Sequence, residues 1–146
     1  MALTTPVTPT RRGEEIRDLE DQITELAAHI HAANYRLLTL VRRFDESAGW
    51  GGPGLRSCAH WLNWKCGIGM NAAREKVRVA HALGDLPRIS ASFSKGEISY
   101  SNVRAMTRVA TSENEEFLLM IALHGTAAHV ERALHAGTGG AHHEGG

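Results

Sequence analysis

The chain has little that would mark an exported, membrane or redox protein. Its 146 residues include only two cysteines, Cys58 and Cys66, too few for a disulfide framework. They stand eight apart on what reads as one helix, about 12 Å along its axis, whereas a disulfide needs Cα atoms within about 7 Å. Both are expected as reduced thiols in a cytoplasmic protein. No run approaches the roughly 20 apolar residues of a membrane span, and the Thr/Pro-rich start has no apolar core of a signal peptide, so no membrane partner is expected. Neither sign of charge is in excess: Lys+Arg 16 balances Asp+Glu 16. That balance excludes a strongly basic arm or an acidic tail for the whole chain and leaves a local basic face open. A phosphate-binding loop, a dinucleotide-binding glycine fingerprint and a nucleophile elbow are all missing. No catalytic residue and no cofactor is assigned, and no enzyme is expected.

Nine histidines raise the question of a metal. A closed zinc site needs four Cys/His ligands with short paired spacings. His29 and His31 point to different faces of a helix, as do Cys58 and His60. No metal site is assigned. With hydrophobic residues at 42% and charged residues at 22%, the composition is that of a soluble globular domain.

The strongest positive signal lies near the N-terminus. Ile16, Leu19, Ile23, Leu26, Ile30, Ala33, Leu37, Leu40 and Phe44 follow one another at alternating spacings of three and four. That is a heptad seam on a helix of about 35 residues, with isoleucine at the early a positions and leucine at d. The flanking positions do not favour a parallel dimer: Glu15 would face Glu20, His29 would face Asn34, and Arg36 would face Val41. Two readings follow. The seam either packs against the chain's own domain or forms a homo-oligomer or protein interface, with Ile16, Leu19, Ile23, Leu26, Ile30 and Leu37 as the contact residues. Three isoleucines at successive a positions, exposed as one stripe, would be an aggregation hazard, so something must cover the seam, and the shorter helices are the nearest candidates.

Beyond this helix the punctuation predicts several shorter ones. Glycines from Gly49 to Gly54 form a loop with Trp50. Ser57 caps a short helix carrying Trp61 and Trp64, both expected to pack at the junction with the long helix. Gly67-Ile68-Gly69 breaks it, and a helix runs from about Asn71 to Leu83. A short helix ends at Ser94, Ser99 caps another to about Ala110, and Thr111 or Ser112 caps the next. That helix has Glu113, Glu115 and Glu116 in its first turn, at the positive end of its dipole. A last helix spans about Ala127 to Ala136. No segment alternates with period two, so the fold is all-α: a long first helix packed against five or six shorter ones. Residues 1–10 read as a disordered lead-in, 11–136 as the domain and 137–146 as a Gly/His-rich tail or linker.

A shift of thirty residues superposes Lys65 on Lys95, Ile68 on Ile98, Arg74 on Arg104 and Arg78 on Arg108, a weak internal echo. Each copy is a short helix, a glycine-containing turn and a second helix, the layout of a helix-turn-helix reader. Arg74/Arg78 and Arg104/Arg108 are each spaced to share a helix face. With Asn71 and Lys76 they form a candidate DNA-binding set, since arginine grips both guanine edges and phosphates. The plainer reading is a solvated basic face.

Trp50-Gly51, Ser57, Trp61-Leu62, Gly67-Ile68, Ala73-Arg74, Leu86-Pro87, Gly96-Glu97-Ile98-Ser99 and Val109-Ala110-Thr111 with Glu113-Asn114-Glu115 form an ordered series of landmarks. In this order the chain resembles the actinobacterial "13E12 repeat" family, domain of unknown function 222, over roughly Ile16 to Leu134. Gly96 to Glu115 is the most specific part. The resemblance implies a helical region that commonly stands before an HNH endonuclease domain. The HNH histidines, cysteine pairs and strands have no counterpart here, and His142-His143 receives no catalytic role. The implied function is a non-catalytic helical domain that assists DNA engagement or positions a nuclease domain, with DNA, a C-terminal HNH domain or a second copy as partners. The chain stops where family members usually continue, as a truncated linker would.

Overall fold

The computed structural model describes residues 10–125. Three of the helices, α1, α2 and α5, start at a hydroxyl that caps their free N–H groups. α1 spans Arg11–Glu46, and the Thr10 hydroxyl accepts from the Gly13 N–H at 3.0 Å. α2 spans Cys58–Cys66, with the Ser57 hydroxyl accepting from His60 N–H at 3.1 Å. It stops at Gly67, which adopts a left-handed conformation with φ 69°. α3 spans Met70–Ala82 and runs into a 3-10 turn at Leu83–Asp85. α4 spans Pro87–Ser94 and begins with the proline that a first turn tolerates. α5 spans Tyr100–Met106 under a Ser99 cap, and α6 spans Glu115–His124. The described residues contain no strand, so the chain is all-α, a long first helix with shorter ones packed against it.

α3 lies at the centre of the body, in contact with α1, α2 and α5, while α4 packs on α1 and α6. The core brings together Leu38 and Val41 of α1, Leu62 of α2, Ala73 and Val79 of α3, Ile89 and Phe93 of α4, and Val103 and Met106 of α5. Tyr35 meets the Phe93 ring edge-on at 5.8 Å. The turn between α4 and α5 closes on α1 at Gly96, which has φ 78° and lies so near the Ala28 carbonyl that no side chain fits. Glu97 then accepts from the Ser92 hydroxyl, Ile98 is buried, and the Ser99 hydroxyl accepts from Asn102 N–H. The start of the most specific landmark of the sequence is thus a tight turn fixed against α1.

Several expectations change. The seam of α1 does not pack on its own domain. The body takes a different stripe, through Ala28, Ala32, Tyr35, Leu38 and Val41, about 150° around the helix from the a/d line. Phe44 alone leaves the seam and packs on Trp61, with ring centroids 4.5 Å apart and planes inclined at 56°. Trp64 is exposed, with the Lys65 ammonium over its ring. α5 ends at Met106, short of Ala110, because residues 107–109 form turns. α6 starts at Glu115: Thr111 instead anchors a turn in which its hydroxyl accepts from Glu113 and Asn114 N–H, and Asn114 Oδ1 accepts from Thr111 N–H. The expected lead-in, last helix and tail lie outside the described residues, except for Thr10, which caps α1.

Candidate functional site

Two surfaces collect the residues singled out by the sequence. The first is the junction of α3 with α5, and its hub is Glu75. One oxygen accepts from Arg78 Nε at 2.9 Å and the other from Arg78 Nη2 at 3.1 Å. That second oxygen also accepts from Arg104 Nε at 2.9 Å and Arg108 Nη2 at 3.4 Å. Guanidiniums from α3, from α5 and from the turn beyond α5 therefore share one carboxylate. Bonds from Arg78 and then Arg104 lower Glu75 from its ordinary 4.5 to about 2. A carboxylate held this far down is a poor proton acceptor at neutral pH. Its role is to tie α3 to α5.

Lys76 turns to the neighbouring ring, its Nζ lying 4.0 Å from the Tyr100 centroid as a cation–π contact. Burial first, and then the charge of Arg104, push its pKa down. The Tyr100 hydroxyl is buried and lacks a hydrogen-bond partner among the described residues, and burial raises its pKa. Between these groups lies a groove of about 250 Å³ lined by Asn71, Ala72, Glu75, Lys76, Tyr100 and Arg104. Asn71 and Arg74 sit exposed at the start of α3, joined by a 3.4 Å bond from Arg74 Nη1 to Asn71 Oδ1.

The two halves of the internal echo both fold as helix, turn and helix: α2 with α3, and α4 with α5. The structure brings Arg78, Arg104 and Arg108 onto Glu75. Lys76 lies beside them, and Arg74 and Asn71 remain at the N-terminal end of α3. Sequence reasoning missed Glu75 and Tyr100. The three-residue step from Glu75 to Arg78 was a visible helical pair, but nothing in the spacing showed that Arg104 and Arg108 would close on the same carboxylate.

The second surface is the seam of α1. Ile16, Leu19, Ile23, Leu26 and Ile30 are 47%, 55%, 66%, 61% and 53% exposed, and Leu37 and Leu40 are 36% and 58% exposed. They form one apolar stripe about 36 Å long, at 1.5 Å per residue. Between Thr10 and Leu26 every residue of the helix except Gly13 is exposed, so this half of α1 projects from the body.

Other chemistry is sparse. No group of three or more His, Cys, Asp or Glu side chains among the described residues could hold a metal ion. Asp45 accepts from the Trp50 indole at 3.0 Å and meets His81 Nε2 at 2.6 Å, linking α1, the glycine loop and α3. No helix of the described residues is long and apolar enough to cross a membrane.

No curated protein and no solved structure matches the chain. A family model described as "Domain of unknown function (DUF222)" matches residues 14–142, and the chain, with the all-α fold described above, belongs to that family.

Proposed function

We propose that this chain is a non-catalytic assembly domain whose first helix pairs with another helix along the Ile16–Leu40 seam. The observation that carries the reading is the exposure of seven large apolar residues at heptad spacing on a helix whose opposite side is anchored in a core. A stripe of this length on a soluble domain marks an interaction surface, and a/d spacing is the pattern that another helix fits. In the setting implied by the 13E12 resemblance, such a domain would hold an HNH nuclease domain in place or bring copies of it together. The test is the double substitution Ile23→Glu with Ile30→Glu. The variant should keep its helical content and a cooperative unfolding transition, and lose association with its partner helix. Unfolding would show the seam to be core and would sink the reading.

A second reading, DNA engagement, draws on the α3–α5 junction. Three cations, Arg78, Arg104 and Arg108, share the Glu75 carboxylate, with Lys76 beside them and Arg74 at the N-terminal end of α3, a local positive excess on a chain of net charge zero. Arg74→Ala combined with Arg108→Ala spares the short Glu75 bonds of Arg78 and Arg104. The pair should weaken binding of a labelled duplex, and the affinity of the unaltered chain should fall steeply with salt. Absence of binding at tens of micromolar protein in low salt would remove this reading.

A further inference from the structure

We infer that the helix filling the seam is α1 of a second copy of this chain, lying antiparallel with its dyad beside residue 28. The inference rests on the pairing role proposed above and specifies its partner.

Charge sets the direction. Between Glu14 and Glu25 the helix carries six carboxylates and one arginine; between Leu26 and Arg43 it carries three arginines and no carboxylate. Parallel pairing would lay acid on acid. Antiparallel pairing lays the acidic half of each helix along the basic half of the other.

Layer packing sets the register. In antiparallel pairs a residues face d residues. When Ile16 faces Leu40 of the second copy, Leu19 faces Leu37, Ile23 faces Ala33 and Leu26 faces Ile30. All eight seam positions are then covered, each large–small mismatch being matched by its partner. A parallel pair would set Ala33 against Ala33 and leave a thin layer. In the same register Glu15 faces Arg43 of the second copy, once at each end. Both side chains are exposed, and neither has an ion-pair partner among the described residues. Gln22 faces Arg36, and His29 faces its own counterpart. An isologous contact must be self-complementary, and the reversed order of the seam about residue 28 meets that requirement. The two bodies, each fixed to the C-terminal half of its own α1, come to lie at opposite ends of the pair.

The test uses the full chain in a Cys66→Ser background, with buried Cys58 left in place. Sedimentation should give twice 15.9 kDa. Ala27 lies at an e position that meets itself across an antiparallel dyad, so Ala27→Cys should cross-link readily. Leu26→Cys, a d position that meets itself only in a parallel pair, should not. Ile23→Glu should raise the dissociation constant about 100-fold or more. Arg43→Glu should weaken the pair, and adding Glu15→Arg should restore it. Cross-linking at Leu26 in preference to Ala27, or failure of the charge swap to rescue, overturns the antiparallel register. A monomer at tens of micromolar overturns self-pairing. If Ile23→Glu with Ile30→Glu still folds in that case, the seam stays a pairing face for another chain's helix. If it unfolds, the pairing role itself fails.

Discussion

Glu115, the first residue of α6, accepts a 2.7 Å hydrogen bond from the backbone N–H of Ile89 in the first turn of α4. It is only 2% exposed. α4 begins with Leu86 and Pro87 and has no capping side chain of its own, so a carboxylate from a distant helix supplies the cap. Favourable interaction with the α4 dipole adds to the bond.

Replacing Glu115 by alanine strands the Ile89 N–H in the core. Thermal or urea unfolding should show a loss of about 1–3 kcal/mol. Glu115→Gln keeps an acceptor and should lose less. Equal losses would mean that volume, and not the hydrogen bond, matters at this position.

At Gly96 any side chain meets the Ala28 carbonyl, and the positive φ adds strain. Gly96→Ala should therefore destabilise by more than about 2 kcal/mol. By contrast Gly52→Ala, in open space on the glycine loop, should change the unfolding midpoint little.

Acid should loosen the α3–α5 junction. Glu75 is held at about 2 in the folded chain against an ordinary 4.5, so the folded state binds fewer protons between these values. The contribution is present above the ordinary value and is lost as pH falls toward about 2. Melts between pH 5 and pH 2 should show a component that Glu75→Gln removes. Glu75 is half-buried, and solvent reaching the junction keeps that component small.

The two thiols should react differently. Burial, with the charge of Asp45 second, pushes Cys58 up to about 11, whereas Cys66 is exposed. Iodoacetamide at pH 8 should label Cys66 alone, with Cys58 following only on unfolding. Rapid labelling of Cys58 in the folded chain would contradict its packing.

The sequence was most legible where a signal is local. Ser57 and Ser99 cap their helices as their positions imply, and Gly67 ends α2 because it accepts the left-handed conformation. The seam of α1 was also legible, but its environment was not. Heptad spacing identifies an apolar stripe and leaves its neighbour undefined. The side of α1 that faces the body carries only Leu38 and Val41 as fully buried aliphatics, flanked by half-buried Ala28, Ala32 and Tyr35, a set too mixed to stand out against the heptad line. The same limit applies to Glu115, which reads as an ordinary first-turn glutamate until α4 is placed beside it. Trp64 was misassigned because a tryptophan next to a buried helix reads as core, whereas its place on α2 faces water.

In the candidate site, residue types and helical faces were visible before any fold. Helical spacing put Arg74 with Arg78 on α3, but Arg108 lies in the turn beyond α5 and not on a helix face with Arg104, and spacing could not foresee that Arg78, Arg104 and Arg108 would converge on Glu75. Convergence of α3 and α5 is a product of tertiary packing, and a thirty-residue echo reports on neither distance nor direction.

Anchoring one half of α1 also has a thermodynamic consequence for the other. Starting a helix is its costly step, whereas each further residue adds with little penalty. The body fixes the turns around Leu38 and Val41, so the projecting residues from Arg11 to Leu26 extend a helix already nucleated. A partner therefore meets a preformed rod, and its docking carries no folding transition. Substitutions that loosen Phe93 against Tyr35 should be felt some 20 Å or more away, as fraying of an arm that neither residue touches.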